Sequence, residues 1–198
     1  TFLYEHDSAL ALMPVGAGKS VTTLTALREL MDDKVIERPL VFAPLRVAEL
    51  VWPTERFEWA HTQDMEMVLW GGGPQGWPES LWKQSRLIWG QRTSAESRLP
   101  KIVDVRKRRE LEAQLSELVA EEKRVNKEIN RTKPPACIHV TSYENALWFC
   151  ELYKPGESPF DAFVFDEIGR LKNPKSPRYK ALRKHTKLAK IVYGLNAT

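Results

Sequence analysis

Short apolar runs recur along the chain at 8–13, 38–45, 65–70, 136–143, 161–167 and 189–195. Each is rich in aliphatic or aromatic residues and bounded by polar ones, the pattern of a β-strand. Phe163, Val164 and Phe165 are apolar without a break, as in a strand covered on both faces. Helix-compatible stretches lie between the runs, near 21–31, 54–60, 144–152 and 177–186. Strands alternating with helices predict an α/β fold, a mostly parallel sheet flanked by helices. The stretch GGGPQGWPES, 71–80, interrupts the rhythm as a breaker.

One segment follows a different period. From Val105 to Arg131 the chain is charged and almost free of Gly and Pro. Leu111, Leu115, Leu118, Val125 and Ile129 fall on alternating steps of four and three, with Glu122 at the one polar position of the register. That is a short heptad-like seam. It predicts a helical, coiled-coil-like insertion over 101–135 between two sheet strands. The insertion is an arm for a protein partner or nucleic acid, or a structural brace.

Composition narrows the class. At 198 residues the chain can build one sizeable α/β domain, hardly two. A hydrophobic share of 42% excludes a disordered polyanion or polycation. Cys137 and Cys150 lack metal-ligand spacing, and the four histidines are scattered, so neither a disulfide framework nor a metal cluster is expected. No apolar run is long enough for a membrane span, and no leader pattern opens the chain. The expectation is a cytoplasmic protein, in the host cytoplasm if the source is viral. Between 170 and 190 lie Arg170, Lys172, Lys175, Arg178, Lys180, Arg183, Lys184, Lys187 and Lys190, with no acid among them. Such a run suits a polyanion partner or a solvated surface.

Two stretches carry candidate chemistry. GAGKS, Gly16–Ser20, sits between a strand-like run and a helix-like one, the order a phosphate loop requires. Gly16 and Gly18 let backbone N–H groups turn inward, with Ala17 between them adding little bulk. Lys19 supplies a full charge to phosphates and Ser20 a hydroxyl for a magnesium shell. Met13 stands where such loops usually open with glycine. The second stretch is FVFDEIG, 163–169, in which a strand ends in Asp166 and Glu167. Carboxylates there lie where open α/β sheets bind ligands. Asp166 can hold magnesium, directly or through water, and Glu167 can orient and deprotonate water.

These stretches, with three others in order, resemble the first motor domain of superfamily II helicases, closest to the Swi/Snf-like and bacteriophage branch. The others are LVFAPLRV with the VWPTERFEWA that follows it, VTSYENA, and GLNAT; the Asp-Glu motif extends to VFDEIGRLKNPKSPRYKAL. The resemblance implies a RecA-like P-loop fold over 1–198 and an ATP-dependent helicase or translocase acting on DNA, or alternatively RNA. By it Gly16, Ala17, Gly18, Lys19 and Ser20 bind ATP, Ser20 and Asp166 hold Mg2+, and Lys19, Asp166 and Glu167 carry catalysis. Pro44, Leu45, Arg46, Thr141, Ser142 and Tyr143 lie along the nucleic-acid track, with Lys172 and Lys175 in the basic tail beside it. Asn196, Ala197 and Thr198 couple hydrolysis to nucleic-acid engagement. Gly169 and Asn196 depart from the usual residues at their positions. Because the chain ends in the third motif, the resemblance also implies a second lobe of the same protein, without which hydrolysis is very slow. A nucleotide-binding clamp without turnover is the competing expectation.

Overall fold

The predicted runs lie side by side in one sheet. In the computed structural model, which describes residues 2–70, 79–132 and 134–197, the strands are β1 (Ser8–Leu12), β2 (Pro39–Ala43), β3 (Met67–Leu69), β4 (Ile138–Ser142), β5 (Ala162–Asp166) and β6 (Ile191–Asn196). Their order is β1-β6-β5-β2-β4-β3. Every neighbouring pair is parallel, so the crossovers must run through helices on the faces. The helices are α1 (Lys19–Asp32), α2 (Trp52–Glu55), α3 (Glu79–Arg98), α4 (Val105–Arg131), α5 (Ala146–Leu152) and α6 (Pro177–Thr186). Among them none is long and apolar enough to cross a membrane.

The alternation of side chains gives the sheet two unlike faces. One is aliphatic: Leu24, Leu27 and Leu30 of α1 cluster with Val41, Val140, Val164 and Ile191. The other is aromatic, with Phe42, Phe163 and Phe165 stacked across β2 and β5 and Phe149 of α5 edge-on to two of them. β2, β4 and β5 are buried along their whole length.

The chain forms two units, Thr1–Trp77 with Pro134–Thr198, and Pro78–Lys133. The second unit is a helical hairpin rather than a single helix over 101–135, because α3 precedes α4 and packs along it. The seam expected on α4 is present: Leu111, Glu122, Val125 and Ile129 are buried. Glu122, the polar position, receives the guanidinium of Arg92 from α3 at 2.6 Å. The 54–60 helix is displaced: a π-turn at Val47–Val51 leads into α2, which ends at Glu55. The breaker stretch lies outside the described residues as far as 78.

Candidate functional site

Parallel strands bring the two candidate stretches together. β6 lies between β1 and β5, with Leu12 opposite Asn196 and Asp166 opposite Leu195. The carboxyl ends of these strands therefore stand at successive spacings of roughly 5 Å. The loop after β1 begins at Met13, whose N–H donates to the Asn196 carbonyl at 3.2 Å. Gly16 and Gly18 take φ of 78° and 81°, a left-handed region that L side chains rarely adopt. Gly18 caps α1, which starts at Lys19. Met13 has no positive φ, so the absence of a glycine there costs this loop nothing. Its carbonyl is in use: the Lys19 ammonium donates to Met13 O at 3.1 Å and to Pro14 O at 3.0 Å. Ser20 follows, half-buried, in the first turn of α1.

Asp166 is held far more tightly. It is 8% exposed, and both carboxylate oxygens are engaged. Trp52 Nε1 donates to Oδ2 at 3.0 Å, and the N–H of Glu167 donates to Oδ1 at 2.9 Å. The Tyr143 hydroxyl donates to the backbone carbonyl of Asp166 at 2.7 Å. Burial pushes the carboxyl pKa up, against the opposing pull of the Trp52 and Glu167 hydrogen bonds and of the Lys19 charge. Lys19 is thus within electrostatic reach of Asp166. Glu167 takes a left-handed conformation (φ 51°, ψ 52°) that turns the chain out of the strand. Its side chain is half-exposed and paired with Arg170 at 3.2 Å.

The residues expected along a nucleic-acid track divide. Leu45 and Arg46 are exposed just beyond β2, whereas Pro44 is buried and its carbonyl accepts from Ala48 N–H at 2.8 Å. Thr141, Ser142 and Tyr143 are buried. Thr141 Oγ1 accepts from Asn145 Nδ2 at 3.1 Å, and the Tyr143 hydroxyl is committed to Asp166. The Thr141 and Tyr143 side chains thus have partners within the protein, and Ser142 lies buried between them. Lys172 and Lys175 are exposed in the loop before α6. Asn196 ends β6, and its Oδ1 lies 3.4 Å from where a Cβ on Gly169 would stand. Ala197 is exposed; Thr198 lies outside the described residues.

Trp52 was not among the residues the sequence pointed to. The one hint is chemical: a buried indole N–H needs an acceptor, and Trp52 is fully buried. Its acceptor is 114 residues away in sequence.

No family model matches the chain. A stretch of 54 residues is 44% identical to protein p41 of Acyrthosiphon pisum secondary endosymbiont phage 1, over 27% of this chain and 12% of that protein. The fold resembles the Sulfolobus solfataricus SWI2/SNF2 ATPase core, solved in complex with dsDNA, with a TM-score of 0.57 at 17% identity. That match covers 100% of this chain and 29% of the solved one. This chain accordingly spans less than two thirds of both proteins. Its single all-parallel sheet flanked by helices is the RecA-like α/β fold, as in that ATPase core.

Proposed function

We propose that this chain is the ATP-binding lobe of a nucleic-acid motor, a helicase or translocase that acts on DNA in preference to RNA. The observation that carries the proposal is the pairing of a glycine-turned loop after β1 and its Lys19 with a buried, pre-oriented Asp166 at the end of β5, on the same edge of the sheet with β6 between them. The residues fit Mg-ATP. Gly16 leaves open space where a side chain would stand, and the Lys19 ammonium rests on two neutral carbonyls that a phosphate would outcompete. Bound Mg-ATP supplies the transferable phosphoryl group and a divalent charge. Ser20 and Asp166 would hold the magnesium, the Asp166 carboxylate being already oriented by the Trp52 indole and the Glu167 N–H. Glu167, once released from Arg170, orients the attacking water and takes its proton.

Exposed Arg46, Lys172 and Lys175 contact phosphates without reading sequence. Asn196 and Ala197, with Thr198 beyond the described residues, couple the two events. A second lobe of the same protein completes the motor, contributing a charge worth roughly 10³–10⁵ in rate in related chemistry. The Glu167–Arg170 ion pair favours one other reading, a nucleotide-dependent clamp in which the base is never freed. The test has two parts. Calorimetry of the chain with ATP and magnesium should show saturable binding, and its absence rejects the nucleotide site. ATPase of the complete protein should rise with duplex or single-stranded DNA more than with RNA; binding without turnover selects the clamp.

A further inference from the structure

The hairpin of α3 and α4 carries a charge pattern that its own folding does not explain. From Arg98 to Arg109 there are six cations, Arg98, Lys101, Arg106, Lys107, Arg108 and Arg109, against one acid, Asp104. All of these residues are exposed. They occupy the tip, where α3 ends and α4 begins; the chain enters and leaves the hairpin at its other end. Four of the six lie in or next to the first turn of α4, where the helix dipole already presents positive charge. Asp104 is committed there as the cap, its Oδ1 accepting from Arg106 and Lys107 N–H at 2.8 and 3.1 Å. Elsewhere in the hairpin Arg92 pairs with Glu122 and Glu96, and Arg131 with Glu128. At the tip Arg108 pairs with Glu112. Among the described residues Arg98, Lys101, Arg106, Lys107 and Arg109 form no ion pair. Cations placed against a helix dipole and against one another lower the stability of the hairpin, so an external anion is the natural counterpart.

We infer that the hairpin tip is a second nucleic-acid contact, a phosphate-backbone grip built on Arg106, Lys107 and Arg109 with Arg98 and Lys101. Three features favour a nucleic acid over an acidic protein. Consecutive positions 106–109 step about 100° each and so form a collar around the helix rather than a stripe along one face. Arginine outnumbers lysine, and its planar fork matches phosphate oxygens. The exposed apolar residues of the tip are Val103 and Val105, too little for the core of a standard protein interface of roughly 1,600 Å². The inference shares the partner of the proposed function but needs no nucleotide, so the two can fail separately.

The experiment is a salt titration of duplex DNA binding by fluorescence anisotropy without nucleotide, for the chain and for R106Q/K107Q/R109Q. Each phosphate contact contributes roughly 0.9 to the slope of log affinity against log salt, so the variant should lose about two to three from that slope. Affinity near 0.1 M salt should fall on the order of tenfold. Melting should not drop, because charge opposing the dipole has been removed. K123Q/R124Q/K127Q makes the same change of charge nearer the other end of α4 and should leave slope and affinity nearly unaltered. An equal loss in that control, or an unchanged slope in the tip variant, overturns the inference. So does a tip variant that loses binding to phosphatidylserine vesicles but not to DNA. If the triple variant fails to fold, R98Q/K101Q decides instead: a slope lower by up to about two supports the grip, and an unchanged slope overturns it.

Discussion

Two buried titratable side chains in this sheet are each held by an indole N–H at 3.0 Å, and they serve opposite ends. Trp52 donates to Asp166 at the carboxyl end of β5, and Trp70 donates to His139, the second residue of β4. His139 is fully buried. With Nδ1 accepting from Trp70, its proton sits on Nε2 and is donated to the Pro135 carbonyl at 3.0 Å. Both ring nitrogens are satisfied, the ring is neutral, and burial drives its pKa down to about 4. Trp70 and His139 also pack edge-on among Phe149, Phe160 and Trp148. Asp166 has similar support but stands at the strand end, within electrostatic reach of Lys19 and next to the half-exposed Glu167. A pinned polar group toward the amino end of a strand completes a core; under the proposed function the same device at the carboxyl end, where open α/β sheets bind ligands, orients a metal-holding one.

The largest expected effect breaks the site half of this comparison. Under the proposed function, Glu167→Gln in the complete protein should leave ATP binding intact while turnover falls by roughly 10²–10⁴, the range for a lost general base. Parental turnover in that variant would remove Glu167 from the chemistry. Lys19→Ala comes next. Lys19 donates to carbonyls of its own loop, so the fold should stand while ATP affinity drops about 10- to 100-fold, as expected for a lost charge-assisted contact. Unchanged affinity by calorimetry would reduce GAGKS to a turn.

The two tryptophans separate support from function. Trp52→Phe and Trp70→Phe each strand a buried acceptor, at a cost of about 1–3 kcal/mol. Both should lower the melting temperature. Only Trp52→Phe should also raise the magnesium concentration needed for ATP binding, because the proposed function gives a metal to Asp166 and none to His139. Equal magnesium midpoints in the two variants would make Trp52 a core residue like Trp70.

How much of the molecule was legible in its sequence depended on range. The strands were readable because a sheet covered on both faces demands uninterrupted apolar runs, and the crossovers followed from their spacing. The glycine-turned loop before α1 and the Asp-Glu corner after β5 were readable because each is a local arrangement in which backbone turns and charges are adjacent in sequence. Helix α3 was hidden: Gly90 sits in its interior, a residue that costs a helix about 1 kcal/mol, and its tryptophans are mixed with charges. The role of Trp52 was hidden because its acceptor is remote in sequence. The partner of Tyr143 was hidden for the same reason: its hydroxyl donates to a carbonyl 23 residues on. The helix expected at 54–60 lies earlier because Val47–Val51 winds as a π-turn after Pro44.

The smallest expected effect tests the core half of the comparison through pH. The folded pKa of His139 is about 4 against an ordinary value of 6.5, so folding favours the neutral ring. Burial is the main cause; the Arg38 charge pushes the same way, and the Pro135 carbonyl opposes it. Well above the ordinary value neither state is protonated and the full stability is present. As pH falls below that value the unfolded chain takes up a proton that the folded one refuses, and stability is lost progressively until the folded pKa is passed. At about 1.36 kcal/mol per unit the loss between roughly pH 7 and 5 is about 1–2 kcal/mol. His185, buried and also lowered in pKa by burial, adds to the slope in the same direction. His139→Gln keeps an acceptor for Trp70 and removes the titration, so urea midpoints for that variant should vary less across the same interval than those of the parent. An identical pH dependence would mean that His139 has the same pKa in the folded and unfolded chain, so that its burial does not favour the neutral ring.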